Sequence, residues 1–408
     1  MQFTNHNFLP VIIGGDICAY SLAREFHEAY NMKSTVISMS KAGPTANSKI
    51  IDNVYVENLE QPDTLRTALL AFAEKHTDKK LLLIGCGDWY VRGIIENRAA
   101  LEPCYIIPYI SEELMNRVTM KDKFYEICEE LAIDYPKTYV YERGQAFPLP
   151  LPFDYPVIAK PANSAMYHYA NFPGKRKVFR FHAPDKLEEM LGHLGASSYD
   201  YKFLIQDCIP GGDEHMRVLT CYSDRAGKVR FMSFGHALLE ERTPGAVGNP
   251  VGIICDSMDA EVMAQAKRFL EHVGYVGYSN FDLKYDSRDG KLKFFEVNIR
   301  LGRSHFYVTA GGHNVATYLV EEYVNGKEFT DCVIASTEHL YLSIPKSILF
   351  RYITDEATKA RVRRLIREKK VSHPLKYKKD RTLKRCLYVA AAQFNYHKKF
   401  KQYGGSNE

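Results

Sequence analysis

No stretch of about 18 consecutive apolar residues occurs anywhere in the 408, so a membrane-spanning helix is not expected. Residues 1–7 carry neither a positively charged opening nor an apolar core segment, so no signal peptide is expected either. The nine cysteines are odd in number, scattered and free of any Cys-x-x-Cys pair. That excludes a disulfide framework and a zinc site, and it fits reduced thiols in a cytoplasm. Internal repeats and low-complexity tracts are absent. The Gly14-Gly15 turn lacks the Gly-x-Gly-x-x-Gly spacing, which speaks against a nicotinamide dinucleotide site. What is present is ordinary for a soluble globular chain: 46% hydrophobic and 25% charged residues, enough to bury a core, over a length that suggests two or three domains.

The net charge of +5 is unevenly spread. Residues 351–401 hold 17 Lys/Arg against 4 Asp/Glu, a balance of +13, which leaves the rest of the chain at −8. Such asymmetry often marks an anionic partner. Charge alone would permit nucleic acid, but no recognised nucleic-acid-binding fold is in the sequence, so none is expected as a partner.

Residues 1–115 alternate strand and helix patterns. Val11-Ile12-Ile13 reads as a buried parallel strand, Gly14-Gly15-Asp16 as a turn, and residues 17–30 as a helix with Ala19, Leu22, Ala23 and Phe26 on its apolar face. Strands at 35–38 and 81–84 and a helix at 65–75 complete an α/β pattern with a parallel sheet. Asp16 and Asp88 sit at carboxyl ends of strands, where open α/β sheets bind ligands. Each could equally cap the helix that follows it.

The most informative stretch is residues 279–305. Phe281, Leu283 and Tyr285 alternate with Asn280, Asp282 and Lys284. After the turn at 286–290, Phe295, Val297 and Ile299 alternate with Glu296, Asn298 and Arg300. This is a β-hairpin with a polar row on one face. With an odd number of turn residues Asp282 joins Glu296 and Asn298, a set of oxygen donors suited to Mg²⁺. The competing reading is an Arg–Glu network on a solvated sheet face.

Upstream, a helix is expected from about residue 118 to 132, with Thr119 or Asp122 as its cap. Lys123 in its first turn is poorly placed against the helix dipole, with Lys121 as a rival. Lys160 ends an apolar strand just before Pro161. Residues 162–177 contain Asn163, Ser164 and only one glycine, Gly174. Residues 203–213 read as a strand carrying Gln206, Asp207 and Ile209 into a glycine turn at Asp213. Arg217 and His236 lie on the next strand pair, and both are expected near the hairpin. His236 is either a proton-transfer aid or a structural histidine. Gly302 allows close backbone approach, and Arg303 offers a planar fork for a carboxylate.

Asp282 followed by Glu296-x-Asn298-x-Arg300, with Met216-Arg217, Lys160 and Lys123 upstream in that order, resembles the metal-binding signature of the ATP-grasp ligases. The runs Lys160-Pro161-Ala162-Asn163-Ser164, Ile209-Pro210-Gly211-Gly212-Asp213, Asn280-Phe281-Asp282-Leu283-Lys284-Tyr285-Asp286 and Glu296-Val297-Asn298-Ile299-Arg300-Leu301-Gly302-Arg303-Ser304 are similar to those of the bacterial D-aspartate ligases. The resemblance implies a mixed α/β and α+β chain with an ATP-grasp fold. A small α/β domain at 1–115 would precede an ATP-grasp domain at 116–335, with a lid part at about 116–202 and a metal and substrate part at about 203–335. A basic helical extension at 336–408 would follow.

The resemblance also implies ATP and Mg²⁺ as cofactors. Lys123 and Lys160 would hold phosphates, and Asn163 and Ser164 would belong to the lid. Gln206, Asp207 and Ile209 would lie at the adenine hinge and Asp213 on the ribose. Asp282, Glu296 and Asn298 would hold the metal. Arg300 and Arg217 would be catalytic, while Arg303, Ser304, Asp88 and His236 would contact substrate.

The activity implied is an ADP-forming carbon–nitrogen ligase that joins an amino acid, D-aspartate, to the lysine side chain of a UDP-linked muramyl pentapeptide. Alternatives are the same chemistry on another amino acid or small metabolite, or a non-catalytic ATP-binding regulatory protein. For the basic segment three roles compete: a solvated face packed on the core, a site for the UDP-linked peptide, or peripheral contact with an anionic membrane surface.

Overall fold

The computed structural model describes residues 2–163, 166–167, 169–255 and 259–404. These fall into two compact units. The first gathers Met1–Glu112, Asp213–Asn280 and Asn298–Glu408; the second gathers Glu113–Gly212 and Phe281–Val297. Residues 336–408 are therefore part of the first unit rather than a segment standing apart, and the turn end of the hairpin is counted with the second.

The first unit opens with a parallel sheet of five strands, β1 (Phe8–Ile13), β2 (Ser34–Ser38), β3 (Ile51–Tyr55), β4 (Lys80–Gly85) and β5 (Tyr105–Ile106), in the order β3-β2-β1-β4-β5. β1 is almost wholly apolar because it lies between two neighbours and is covered on both faces. Helix Ile17–Tyr30 begins where Asp16 accepts hydrogen bonds from the Cys18 and Ala19 amides. It ends where Asn31 turns left-handed, φ 49°. β1 and β4 are neighbours with Ile13 opposite Gly85, so the turns bearing Asp16 and Asp88 leave the sheet side by side.

The second unit holds an antiparallel sheet of β6 (Thr138–Tyr141), β7 (Val157–Pro161), β8 (Phe179–Phe181) and β9 (Phe203–Asp207), ordered β6-β9-β7-β8. Helix Pro184–Gly195 starts on proline and lays Leu187, Met190, Leu191 and Leu194 over it, at the spacing of one helix face. The helix expected from 118 to 132 is in fact two, Glu112–Thr119 and Lys121–Glu130. Met120 between them is extended. The Thr119 hydroxyl is spent on the Met115 carbonyl, so no side chain caps the second helix.

The remaining strands are β10 (Met216–Ser223), β11 (Val229–Glu240), β12 (Pro250–Cys255), β13 (Gly277–Asp286), β14 (Lys291–Asn298), β15 (Val333–Ile334), β16 (His339–Leu342) and β17 (Val371–Ser372). They run β14-β13-β10-β11-β12-β16-β17, with β15 beside β11. The expected hairpin is β13 and β14, with one correction. Phe294, not Phe295, is in the core, edge-on to Phe281 at 5.3 Å. The inside–outside alternation shifts between Phe294 and Val297, both buried, and leaves Phe295 half-buried.

The basic segment is largely structural. Ile348, Leu349, Val362, Leu365 and Phe400 pack with Leu340 and Leu342 in one cluster. Buried Arg385 meets Asp380 at 3.1 Å and lies over the Tyr20 ring at 4.1 Å. Asp380 also accepts from Tyr20, Ser48 and the Lys49 amide. Asp380→Ala strands a buried cation and three donors. It is expected to cost about 3–5 kcal/mol, read as a lower urea midpoint. An unchanged midpoint would show the network to be dispensable.

Candidate active site

In the second unit, Lys160 is the penultimate residue of β7. Its ammonium lies 5.4 Å from the Phe295 ring and 5.9 Å from the Tyr125 ring, with the Tyr125 hydroxyl at 3.4 Å. Burial first, then the nearby Lys121 charge, push the Lys160 amine down to about 7, although Glu296 opposes the shift. Lys121, the first residue of its helix, pairs with Glu296 at 2.8 Å. Lys121, and secondarily Lys160, hold the Glu296 carboxyl down to about 2 against the effect of burial. Lys123 is elsewhere: 41% exposed and paired with Glu126 at 2.9 Å along its own helix. The structure thus brings Lys121, not Lys123, to the cluster.

Asp282 is half-buried on β13 between the buried side chains Phe281 and Leu283. Two residues on, Lys284 donates to the Ile209 carbonyl at 2.9 Å. Ile209 itself is buried. Gln206 is buried in β9 and donates to the Thr138 hydroxyl at 2.7 Å, so its side chain is not simply solvated. Arg288 grips Asp207 at 3.0 and 2.6 Å and also holds Asp286. The Asn163 side chain accepts from the Met166 amide at 3.0 Å and organises the turn after β7. Ser164 lies outside the described residues.

In the first unit, Asn298 donates to the Asn280 carbonyl at 3.3 Å, which leaves the oxygen as the end of the amide that can meet a cation. Gly302 passes so close to Asn280 that a Cβ there would sit 3.1 Å from its side-chain oxygen. The close approach expected of Gly302 is therefore to this asparagine. Arg300 forks onto Asp88 at 2.7 and 2.9 Å. Asp88 makes no capping bond, since Gly87 precedes the helix. Asp16 both caps its helix and meets Arg303 at 3.3 Å. Burial works against the Arg303 charge, but Asp16 and then Tyr396, Tyr341 and Glu241 surround it and hold its pKa above the ordinary value.

Ser304 is buried. Beneath it His305 pairs with Glu25 at 2.9 Å, out of solvent. Burial disfavours its charge, yet Glu25 and Cys18 raise its pKa well above the usual histidine range. Asp213 accepts from the Glu240 amide and from Arg242 at 2.7 Å. Arg217 and His236 face each other across β10 and β11, and both bind the Glu214 carbonyl. His236 also lines a small cavity with Glu214, Leu238, Ile353 and Thr358.

The surroundings of Arg303 in the first unit include side chains that motif reading did not single out. Tyr388 and Tyr396, on the C-terminal helix Leu383–Tyr403, lie in the electrostatic surroundings of Arg303. No motif flags them, because they are remote in sequence from Arg303. Arg288 and Arg242 would have been legible only as opposite charges awaiting partners.

Among the described residues no three His, Cys, Asp or Glu side chains cluster as a metal site. The candidate donors are instead two carboxylates and one amide, Asp282, Glu296 and Asn298, all on the two strands of one hairpin. Hard oxygens of this kind, with Glu296 ionised, fit a divalent cation such as Mg²⁺.

Residues 245–317 match the family model described as the carbamoyl-phosphate synthase L chain, ATP binding domain. Among solved structures, the L-amino acid ligase of Bacillus licheniformis superposes with a TM-score of 0.56 at 15% identity, over 78% of this chain and 74% of that one. The biotin carboxylase domain of the Hydrogenobacter thermophilus 2-oxoglutarate carboxylase, solved with MgADP, gives 0.60 at 14% identity, over 80% and 72%. A D-aspartate ligase of Enterococcus faecium (strain Aus0004) is 36% identical over 410 residues, 98% of this chain and 97% of the relative. Fold, motif order and this full-length kinship define an ATP-grasp enzyme, an ADP-forming carboxylate–amine ligase. Within that class, the chain belongs to the D-aspartate ligase family.

Proposed function

We propose that the enzyme phosphorylates the side-chain carboxyl of D-aspartate with ATP and passes the acyl group to the lysine ε-amine of a UDP-linked muramyl pentapeptide, supplying a peptidoglycan cross-bridge. The choice of acid is supported by the full-length relative named D-aspartate ligase. The phosphoryl chemistry is supported by the Lys121–Glu296–Lys160 cluster, two cations gathered around one ionised carboxylate.

In the first step a carboxylate oxygen bonds to the γ-phosphorus as the bond to the bridging oxygen breaks, releasing ADP. In the second the amine attacks the acyl carbon, phosphate leaves, and the amine proton is lost. Such transfers depend on positioning and charge neutralisation. Lys121 takes the phosphate role first given to Lys123, beside Lys160. Asp282, Glu296 and Asn298 would hold Mg²⁺, whose chemistry is to neutralise phosphate charge. Gln206, Asp207 and Ile209 border the adenine, Asp213 with Arg242 the ribose, and Asn163 and Ser164 the lid. Arg300 and Arg217 neutralise developing negative charge. Arg303 and Ser304 orient the acid. We place the reaction in the cytoplasm, where ATP is available; no described helix is long and apolar enough to cross a membrane.

The test is ADP release with D-aspartate, L-aspartate and other acids, with and without UDP-linked muramyl pentapeptide. D-Aspartate with the peptide should give the largest kcat/KM; another acid doing so would overturn the substrate assignment. Asp88 is a positioning residue for Arg300. Asp88→Asn is expected to lower kcat/KM by about tenfold or more, with Asp88→Glu partly restoring it. Equal activity in all three would remove Asp88 from this role.

A further inference from the structure

Three of the most exposed large apolar side chains described in this chain lie on one helix, Leu383–Tyr403: Leu383 at 77%, Phe394 at 64% and Leu387 at 63% of full exposure. Their spacing, with exposed Ala390 and Ala391 between them, puts them on one face, continued by exposed Lys398 and Lys401. The opposite face is the one that packs: Arg385 and Phe400 are buried, and Tyr388 and Tyr396 pack against core clusters. The helix is therefore anchored on one side and presents an apolar stripe on the other. It contains no Asp or Glu, while Lys384, Lys398, Lys399 and Lys401 run along it.

Beside the stripe opens a cavity of about 820 Å³, lined among others by Ala390, Phe394 and His397 from this helix and by Lys376, Lys378 and Arg381 from the segment before it. Those last three cations take part in no ion pair among the described residues. Asp380, the one carboxylate in the lining, is consumed by Arg385.

We propose that this face is an interfacial docking surface for an anionic lipid membrane. The stripe enters the headgroup–acyl boundary, and the cavity's lysines and arginine take lipid phosphates. An exposed apolar helix face bordered by lysines and an arginine, with its one neighbouring carboxylate held by Arg385, suits a fluid anionic surface, which needs no matching shape. Pairing with a second copy of this chain would set lysine rows against each other. The surface would hold the enzyme at a leaflet without any spanning helix. This inference stands apart from the choice of ligase substrate.

The experiment is sedimentation of the full chain with vesicles, either equimolar phosphatidylglycerol and phosphatidylcholine or phosphatidylcholine alone. Wild-type protein should pellet with the anionic vesicles only and be released by high salt. The exposed-site double variant Leu387→Ser/Phe394→Ser should lose at least about tenfold in partitioning, with ADP release in solution unchanged. Lys376→Gln/Lys378→Gln/Arg381→Gln should lose a similar factor and its salt dependence. Equal binding to neutral vesicles, no binding to anionic ones, or wild-type partitioning by the double variant would overturn the proposal. So would a dimer that Leu387→Ser/Phe394→Ser dissolves. Tight binding of UDP that the triple variant loses, without vesicle binding, would give the cavity to a nucleotide instead.

Discussion

Glu296→Gln is expected to reduce ADP release by about 10³-fold or more while the fold persists. The substitution keeps the shape and removes the charge that faces Lys121 at 2.8 Å. Without it, the cluster becomes two neighbouring cations with no anion, and Lys160, whose charge Glu296 favours, is pushed further toward neutrality. A donor for Mg²⁺ is lost at the same time. The stability signature has a definite sign. Glu296 ionises more readily folded than unfolded, so its contribution is present above its ordinary value of 4.5 and fades as pH falls toward about 2. The difference in stability between wild type and variant should shrink across that acid window. Turnover at the wild-type rate would remove Glu296 from the metal and phosphate machinery.

Lys160→Met should separate stability from function in the opposite sense. The Lys160 amine falls from 10.5 to about 7 on folding, mainly because it is buried. Between those values the unfolded chain binds more protons, so this residue makes stability rise with pH; below about 7 its cost is fully expressed. Removing the amine should raise the melting temperature near neutral pH and flatten that slope. ATP affinity should nevertheless fall by about 10²-fold, because phosphates are what the charge serves. Bound phosphates also restore the proton, so wild-type ATP binding near pH 8 should take up a proton that the variant does not. Calorimetry in buffers of different ionisation enthalpy measures this. Lost stability with unchanged ATP affinity would make Lys160 a structural residue.

The helix at residues 17–30, three of the five parallel strands beside it and the hairpin were legible, because each rests on local periodicity and capping; β3 and β5, the edge strands, were not expected. The single helix expected through Met120 was not right, since the Thr119 hydroxyl bonds backward to Met115 instead of forward. The face assigned to Phe295 failed for a related reason. Strict alternation misplaces residues wherever the burial pattern skips a step, as it does in β14 between Phe294 and Val297. Between Lys121 and Lys123 the choice turned on Glu126, which captures the second, and on Glu296, which captures the first from far along the chain.

By itself the sequence determined the class of chemistry. An order of lysines, carboxylates and arginines on recognisable strands is written in the chain and survives without coordinates. Only the tertiary structure decided which charges meet: Arg300 with Asp88, Arg303 with Asp16, Asp207 with Arg288, and Arg385 with Asp380. It also showed that the basic segment is half core and half exposed apolar face. The physical reason is range. Periodicity and capping act over a few residues, whereas an ion pair between residues 88 and 300 exists only once folding has removed its alternatives.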